Sequence, residues 1–193
     1  MVFDVVSLTE KNFLMEISSS IPSPSQALQI RDSIHGQMQF ARTYTLGLIA
    51  EVPEELWETP AAGIPSNFAW QIGHLAVAQY GLMLFRQRGR AEGDVDLMPG
   101  WFRKRYSRGT SAVDDPSPHP DRKTMLGMLE KIHTASMDFL RQAPAELLLE
   151  PTEMPYTAYP IKLGALLFCP LHESIHSGQI GLLRRAHGFP PVR

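Results

Sequence analysis

The sequence predicts an all-α protein, an antiparallel four-helix bundle made from two helical hairpins. Three observations predict it. Apolar residues recur at spacings of three and four in four separate stretches, no convincing period-two strand pattern competes, and one short connector occurs twice between paired helices. The chain has 193 residues, enough for one domain with a tail, and is 44% hydrophobic and 20% charged with a single cysteine, Cys169. Such a chain buries a sizeable core without disulfide staples. Its formal net charge is -2, so it lacks the positive excess that phosphate backbones demand, and nucleic acid is not an expected partner. The start carries Asp4 and Glu10 where a signal peptide needs cations and an unbroken apolar run, and no stretch approaches the ~20 apolar residues of a membrane span. A cytoplasmic protein is expected.

The elements follow in order. Residues 1–25 read as an N-terminal extension and 26–193 as the domain. The first helix is expected from about Gln26 to Ala50, with Ile30, Ile34, Met38, Ala41, Thr45 and Leu48 inward. The second runs from about Asn67 to Arg88, with Ser66 placed to cap it, and is apolar nearly all round. Residues 89–120 form a long loop carrying the patch Trp101-Phe102-Arg103-Lys104-Arg105-Tyr106-Ser107-Arg108, expected to be solvated in the main. The third helix starts near Asp121 and ends about Gln142. The fourth spans about Ile161 to His187, where Gly188 supplies a left-handed stop and Pro190-Pro191 prevents continuation. The repeated connector is P-x-E-L-x-x-x-P, at residues 53–60 and again at 144–151.

Seven histidines are present, and His172 with His176 form the informative pair. At i and i+4 on a helix their side chains stand one above the other, about 5–6 Å apart at Cβ, able to share a cation. Projection places Ala165, Phe168, Gln179 and Leu183 on their side, and Ser174, Ser177, Gly181, Arg184 and Arg185 opposite. His74 lies in a similar inward row on the second helix with Trp70, Val77, Ala78, Gly81 and Phe85. Each buried imidazole needs a partner, and one metal satisfies all three at once. The run His172-Glu173-Ser174-Ile175-His176 also fits the H-E-x-x-H of zinc proteases, with Glu173 as base. That reading fails on its third ligand: Gln179 and Leu182 occupy the places where the extended motif needs glycine and histidine, and His187, the one remaining downstream candidate, sits on the same helix beside the Gly188 stop, so the third ligand must come from upstream.

The segments N-F-A-W-Q-I-G-H-L-A around His74 and L-L-F-C-P-L-H-E-S-I-H-S-G-Q-I-G-L-L-R-R around His172 and His176 resemble the DinB/YfiT family of metal-binding four-helix bundles, over about residues 26–193. The P-x-E-L segments and the closing R-R-A-H-G-F-P-P fit as well. The resemblance implies that His74, His172 and His176 bind a divalent metal. It also implies thiol-dependent S-transfer or isomerisation with bacillithiol or mycothiol as one activity, alongside members with no known activity.

Three neutral imidazoles leave a metal its full charge and an open position, as in catalytic rather than structural zinc, and imidazole suits zinc and nickel alike. Such an ion can activate a thiol or a water. A thiol-activating enzyme acting on a small electrophile is therefore expected, against a metal-dependent hydrolase or a non-catalytic metal-binding stress protein. Glu173 and Gln179 are the candidates to orient ligands or shuttle protons, and Arg103 and Arg105 to hold an anionic thiol cofactor. Cys169 is assigned to packing, and Pro170 to bending the fourth helix just ahead of the histidines. The expected partners are a small-molecule substrate and a second copy of the chain as a homodimer, with no membrane.

Overall fold

The computed structural model describes residues 21–115, 117–153 and 159–192, and is helical. The N-terminal extension expected over residues 1–25 lies almost wholly outside the described residues. Among the described residues no strand forms; a lone antiparallel bridge joins Pro151 to Ile161. No helix among them is long and apolar enough to cross a membrane.

Helix α1 (Pro24–Ile49) starts at a capping box, in which Ser23 and Gln26 satisfy each other's backbone amides. Helix α2 begins at Phe68, passes through a π turn at Gly81–Phe85 and ends at Arg88. Its cap is Asn67, whose side chain accepts from the Trp70 amide at 2.8 Å. Ser66, the expected cap, instead accepts from the Gln71 side chain. The expected loop between the second and third long helices contains two short helices, α3 (Asp94–Leu97) and α4 (Gly100–Tyr106). Helix α5 (Arg122–Gln142) is capped by Asp121; α6 (Ala145–Leu148) is a single turn; α7 (Lys162–Ala186) runs unbroken through Pro170 and stops where Gly188 turns to φ 85°.

The four long helices pack as a ring in which α1 lies against α7, α7 against α2, α2 against α5 and α5 against α1. Bonds between them fix their directions. The pairs Arg42–Glu173, Thr45–Ser177 and Leu48–Arg184 advance together, so α1 and α7 run parallel. The pairs Gln71–Gln179 and Gln87–Lys162 advance oppositely, so α2 opposes α7, and Arg42–Leu129 with Arg31–Ala143 set α5 against α1. Helices α2 and α5 therefore share a direction.

Consecutive long helices therefore run in opposite directions, but α1 and α2, and likewise α5 and α7, sit across the ring from each other, which corrects the expectation of hairpins packed side by side. Short loops force consecutive helices to be antiparallel neighbours, whereas residues 50–67 and 143–161 are long enough to cross to the far corner. The two connectors nevertheless match. Pro53 and Pro144 both hold extended backbone before a helical turn, and the fifth residue of each, Trp57 or Leu148, is buried.

The core divides into two apolar clusters, one around Leu48, Phe68, Ile72, Phe102, Tyr106 and Ile180, the other around Ile34, Met38, Met83, Leu140, Leu163 and Cys169. Along α1 and α7 the interval between them is polar, holding Arg42, Thr45, Glu173, His176 and Ser177. Ser177 and Arg184, projected away from the histidines, face α1 rather than water: Ser177 lies 2.8 Å from Thr45, and the Arg184 guanidinium donates to the Leu48 carbonyl.

Candidate metal centre

His172 and His176 occupy successive turns of α7, and His74 comes from α2, which crosses α7 antiparallel at this level. One ring nitrogen from each lies within 4.8 Å of the others, so all three fall within about 2.8 Å of a common point. That exceeds the Zn–N bond of ~2.0–2.1 Å by a margin small side-chain rotations close. His74 and His176 are buried and His172 is half-buried, the most open of the set.

Hydrogen bonds decide which nitrogens are available. The Nδ1 of His74 lies 2.8 Å from the carbonyl oxygen of Tyr106, which can only accept, so Nδ1 carries the proton and Nε2 presents its lone pair. The Nδ1 of His176 donates to Gln71 Oε1 at 2.6 Å, with the same consequence. Gln71 is itself fixed, because its Nε2 donates to Ser66 Oγ and to Gln179 Oε1. Burial lowers the pKa of all three imidazoles, to about 4 for His172 and about 3 for His176, so each is neutral at physiological pH. Aromatic walls complete the enclosure: Trp70 stacks on His74 at 4.8 Å and Phe168 meets His172 edge-on at 5.7 Å.

The donor set fits a divalent ion. It is uncharged, its lone pairs converge, and two of its members are oriented by oxygen acceptors, the arrangement usual for metal-bound histidine. Among the described residues no other group of three or more His, Cys, Asp or Glu side chains meets the same test.

The other expected site residues sit elsewhere. Glu173 lies between the two histidines in sequence, but its carboxylate turns to Arg42 of α1, accepting from Nε at 2.7 Å and from Nη2 at 2.9 Å. Arg42 also donates to Gln79 Oε1 and to the Leu129 carbonyl, so Glu173 is locked in a buried ion pair and is not a free base. Gln179 reaches the histidines at one remove, through Gln71. The patch at 101–108 is not a solvated loop. Phe102 and Tyr106 are fully buried on the inner side of α4, because residues four apart on successive turns of an amphipathic helix can fill a core gap while the cations face out. Arg105 donates to the carbonyls of Ser117 and Pro118, and Arg103 stands exposed at a surface pocket with Tyr80, Phe85 and Arg90. What α4 brings to His74 is the Tyr106 carbonyl. Cys169 is buried in the second apolar cluster, where burial pushes its thiol pKa far up, in keeping with packing.

The model of the DinB superfamily matches residues 37–180, well over half of the chain and spanning all three histidines. The chain belongs to the DinB superfamily. No curated protein matches it.

Proposed function

We propose that this DinB-superfamily chain is a metal-dependent enzyme on a four-helix bundle, which activates a low-molecular-weight thiol for transfer to, or isomerisation of, a small electrophile in the cytoplasm. The observation that carries the reading is the convergence of three neutral imidazoles, two of them held by acceptors that leave Nε2 toward the shared point. A divalent ion held there, zinc or nickel, supplies Lewis acidity that makes a thiol or a water nucleophilic at neutral pH. The chain's own residues do the rest. Gln71 and the Tyr106 carbonyl keep the rings aimed, Trp70 and Phe168 wall off the imidazoles, and half-buried His172 marks the open side. With no carboxylate among the donors, the site keeps the ion's full positive charge for an anionic ligand. Exposed Arg103 is freer to meet the acidic end of a thiol than Arg105, which is engaged by backbone carbonyls.

The test is elemental analysis of the purified protein, followed by a panel of thiols and electrophiles. Wild type should carry about one zinc or nickel ion per chain and consume electrophile only when thiol is present; His176→Ala should lose both properties while keeping its helical spectrum. A wild-type chain that takes up no more zinc or nickel than His176→Ala would sink the reading. Ester or amide cleavage without thiol would move it to a hydrolase.

A further inference from the structure

Helix α2 departs from α-helical geometry at the π turn of Gly81–Phe85, where the Arg86 amide bonds back to the Gly81 carbonyl, five residues earlier. Residues five apart on an α-helix stand about 140° apart and share no face. The wider turn closes that angle and sets the Phe85 ring 6.3 Å from the Tyr80 ring. Tyr80 is buried, while Phe85 is left 45% exposed. The two rings line a cavity of about 260 Å³ together with buried Met98, Gly100 and two cations from separate segments. Arg90 follows Gly89, whose φ of 74° ends α2, and Arg103 stands on α4 beside core-facing Phe102.

Neither guanidinium has a hydrogen bond or ion pair among the described residues. Asp94, which takes the Tyr80 hydroxyl at 3.0 Å, is already occupied by the Arg88 guanidinium at 2.8 and 2.9 Å and by the Ala91 amide at 2.9 Å. Exposed Glu92 and Asp96 bond neither arginine. Elsewhere this chain lays its arginines over aromatic rings, Arg122 over Trp57 at 5.1 Å and Arg184 over Phe189 at 5.2 Å. Arg90 and Arg103 do not cover Tyr80 or Phe85, so two uncompensated positive charges border an apolar space.

We infer that this cavity binds a small aromatic dianion, a single ring carrying either a phosphoryl group or two carboxylates. Two guanidiniums match two negative charges, and the planar fork of each suits carboxylate and phosphoryl oxygens alike. The Tyr80 and Phe85 rings offer a ring-sized ligand the tilted or offset contacts that aromatic groups favour. The volume falls just below the ~300–1,000 Å³ of pockets for drug-sized ligands, which limits the occupant to about one ring and its acid group.

The inference rests on neither the metal nor the thiol chemistry. Its test is calorimetric titration of the full chain as purified with phenylphosphonate, phthalate, methylphosphonate and benzoate, at about pH 8.5 so that the phosphonates are dianions. Wild type should bind one phenylphosphonate or phthalate per chain, and the tighter of the two tells a phosphoryl from a dicarboxylate ligand. Arg90→Gln and Arg103→Gln should each raise the dissociation constant by ~10-fold or more. Arg86→Gln, which removes an exposed arginine outside the cavity, should leave it within ~2-fold. Phe85→Ala should weaken phenylphosphonate by ~5-fold and leave methylphosphonate, which has no ring, unchanged. His176→Ala should bind as wild type does, which separates the cavity from an ion held at the histidines. Because Phe85, Arg90 and Arg103 are exposed, their variants should keep the wild-type helical spectrum. Wild-type binding weaker than ~10 mM for both aryl dianions would overturn the inference. So would benzoate binding as tightly as phthalate, or a loss at Arg86→Gln equal to that at Arg90→Gln and Arg103→Gln. Binding abolished by His176→Ala would overturn it by assigning the anion to the metal centre.

Discussion

At Gly73 a Cβ would lie 2.5 Å from the ring of Tyr106, a distance no real pair of carbons keeps. The ring cannot step aside freely: it is fully buried and its hydroxyl is 2.8 Å from His119 Nδ1. The missing side chain is therefore what lets α4 approach α2 closely enough for the Tyr106 carbonyl to hold His74. Gly73→Ala should push α4 away, cost about 1–3 kcal/mol of stability as overpacking, and weaken zinc affinity by ~10–100-fold through the lost orientation of His74. Gly81→Ala, with open space around its Cβ, is the control that should leave affinity unchanged in a zinc titration. Equal affinities for the two variants would dismiss the role of α4. The three histidines were legible in the sequence because i,i+4 spacing and an inward row are one-dimensional signals. The Tyr106 carbonyl was not, since a backbone acceptor has no letter of its own. Gln71 was visible only as a polar interruption of an apolar helix.

At the level of elements, the parallel contact of α1 with α7 centres on the Arg42–Glu173 pair, both members almost fully buried. Breaking one partner strands the other charge in the interior. Arg42→Ala should therefore destabilise by about 3–5 kcal/mol, while Arg42→Met with Glu173→Leu should lie near wild type or above it. Denaturant unfolding of the three proteins decides; an Arg42→Ala loss under about 1 kcal/mol would mean the pair is solvated and the α1–α7 register is set elsewhere. The long helices, their approximate ends and the Gly188 stop were all readable from period and punctuation. Helices α3 and α4 were not, because four and seven residues are shorter than the window in which a 3.6-residue period shows. Arg42 was missed for a related reason: an arginine in mid-helix reads as solvated until its partner, 131 positions away, is placed beside it.

Over the whole molecule, the repeated connectors predicted four helices in two related halves but not which helices would be neighbours, because long loops leave that choice to packing between the halves. The outcome puts charge and polarity at the centre, with the Arg42–Glu173–Gln79 network extended to α5 by Gln79 Nε2, which lies 3.1 Å from His133 Nδ1. In that bond His133 accepts and is neutral. Burial first, and then the nearby charges of Arg42 and His35, push its pKa down to about 4 from an ordinary 6.5. Since the unfolded chain binds this proton more readily than the folded one, the sign is set: His133 contributes fully above pH 6.5, and its contribution drains away as pH falls from 6.5 toward 4. His133→Gln removes that proton uptake, so the gap in melting temperature between metal-free wild type and variant should narrow steadily over the same interval. The metal-ligand candidates titrate in both proteins and cancel in the difference. A gap that stays constant from pH 7 to pH 4 would show that His133 is no less basic in the folded chain than outside it, and that the polar centre of the molecule is open to water.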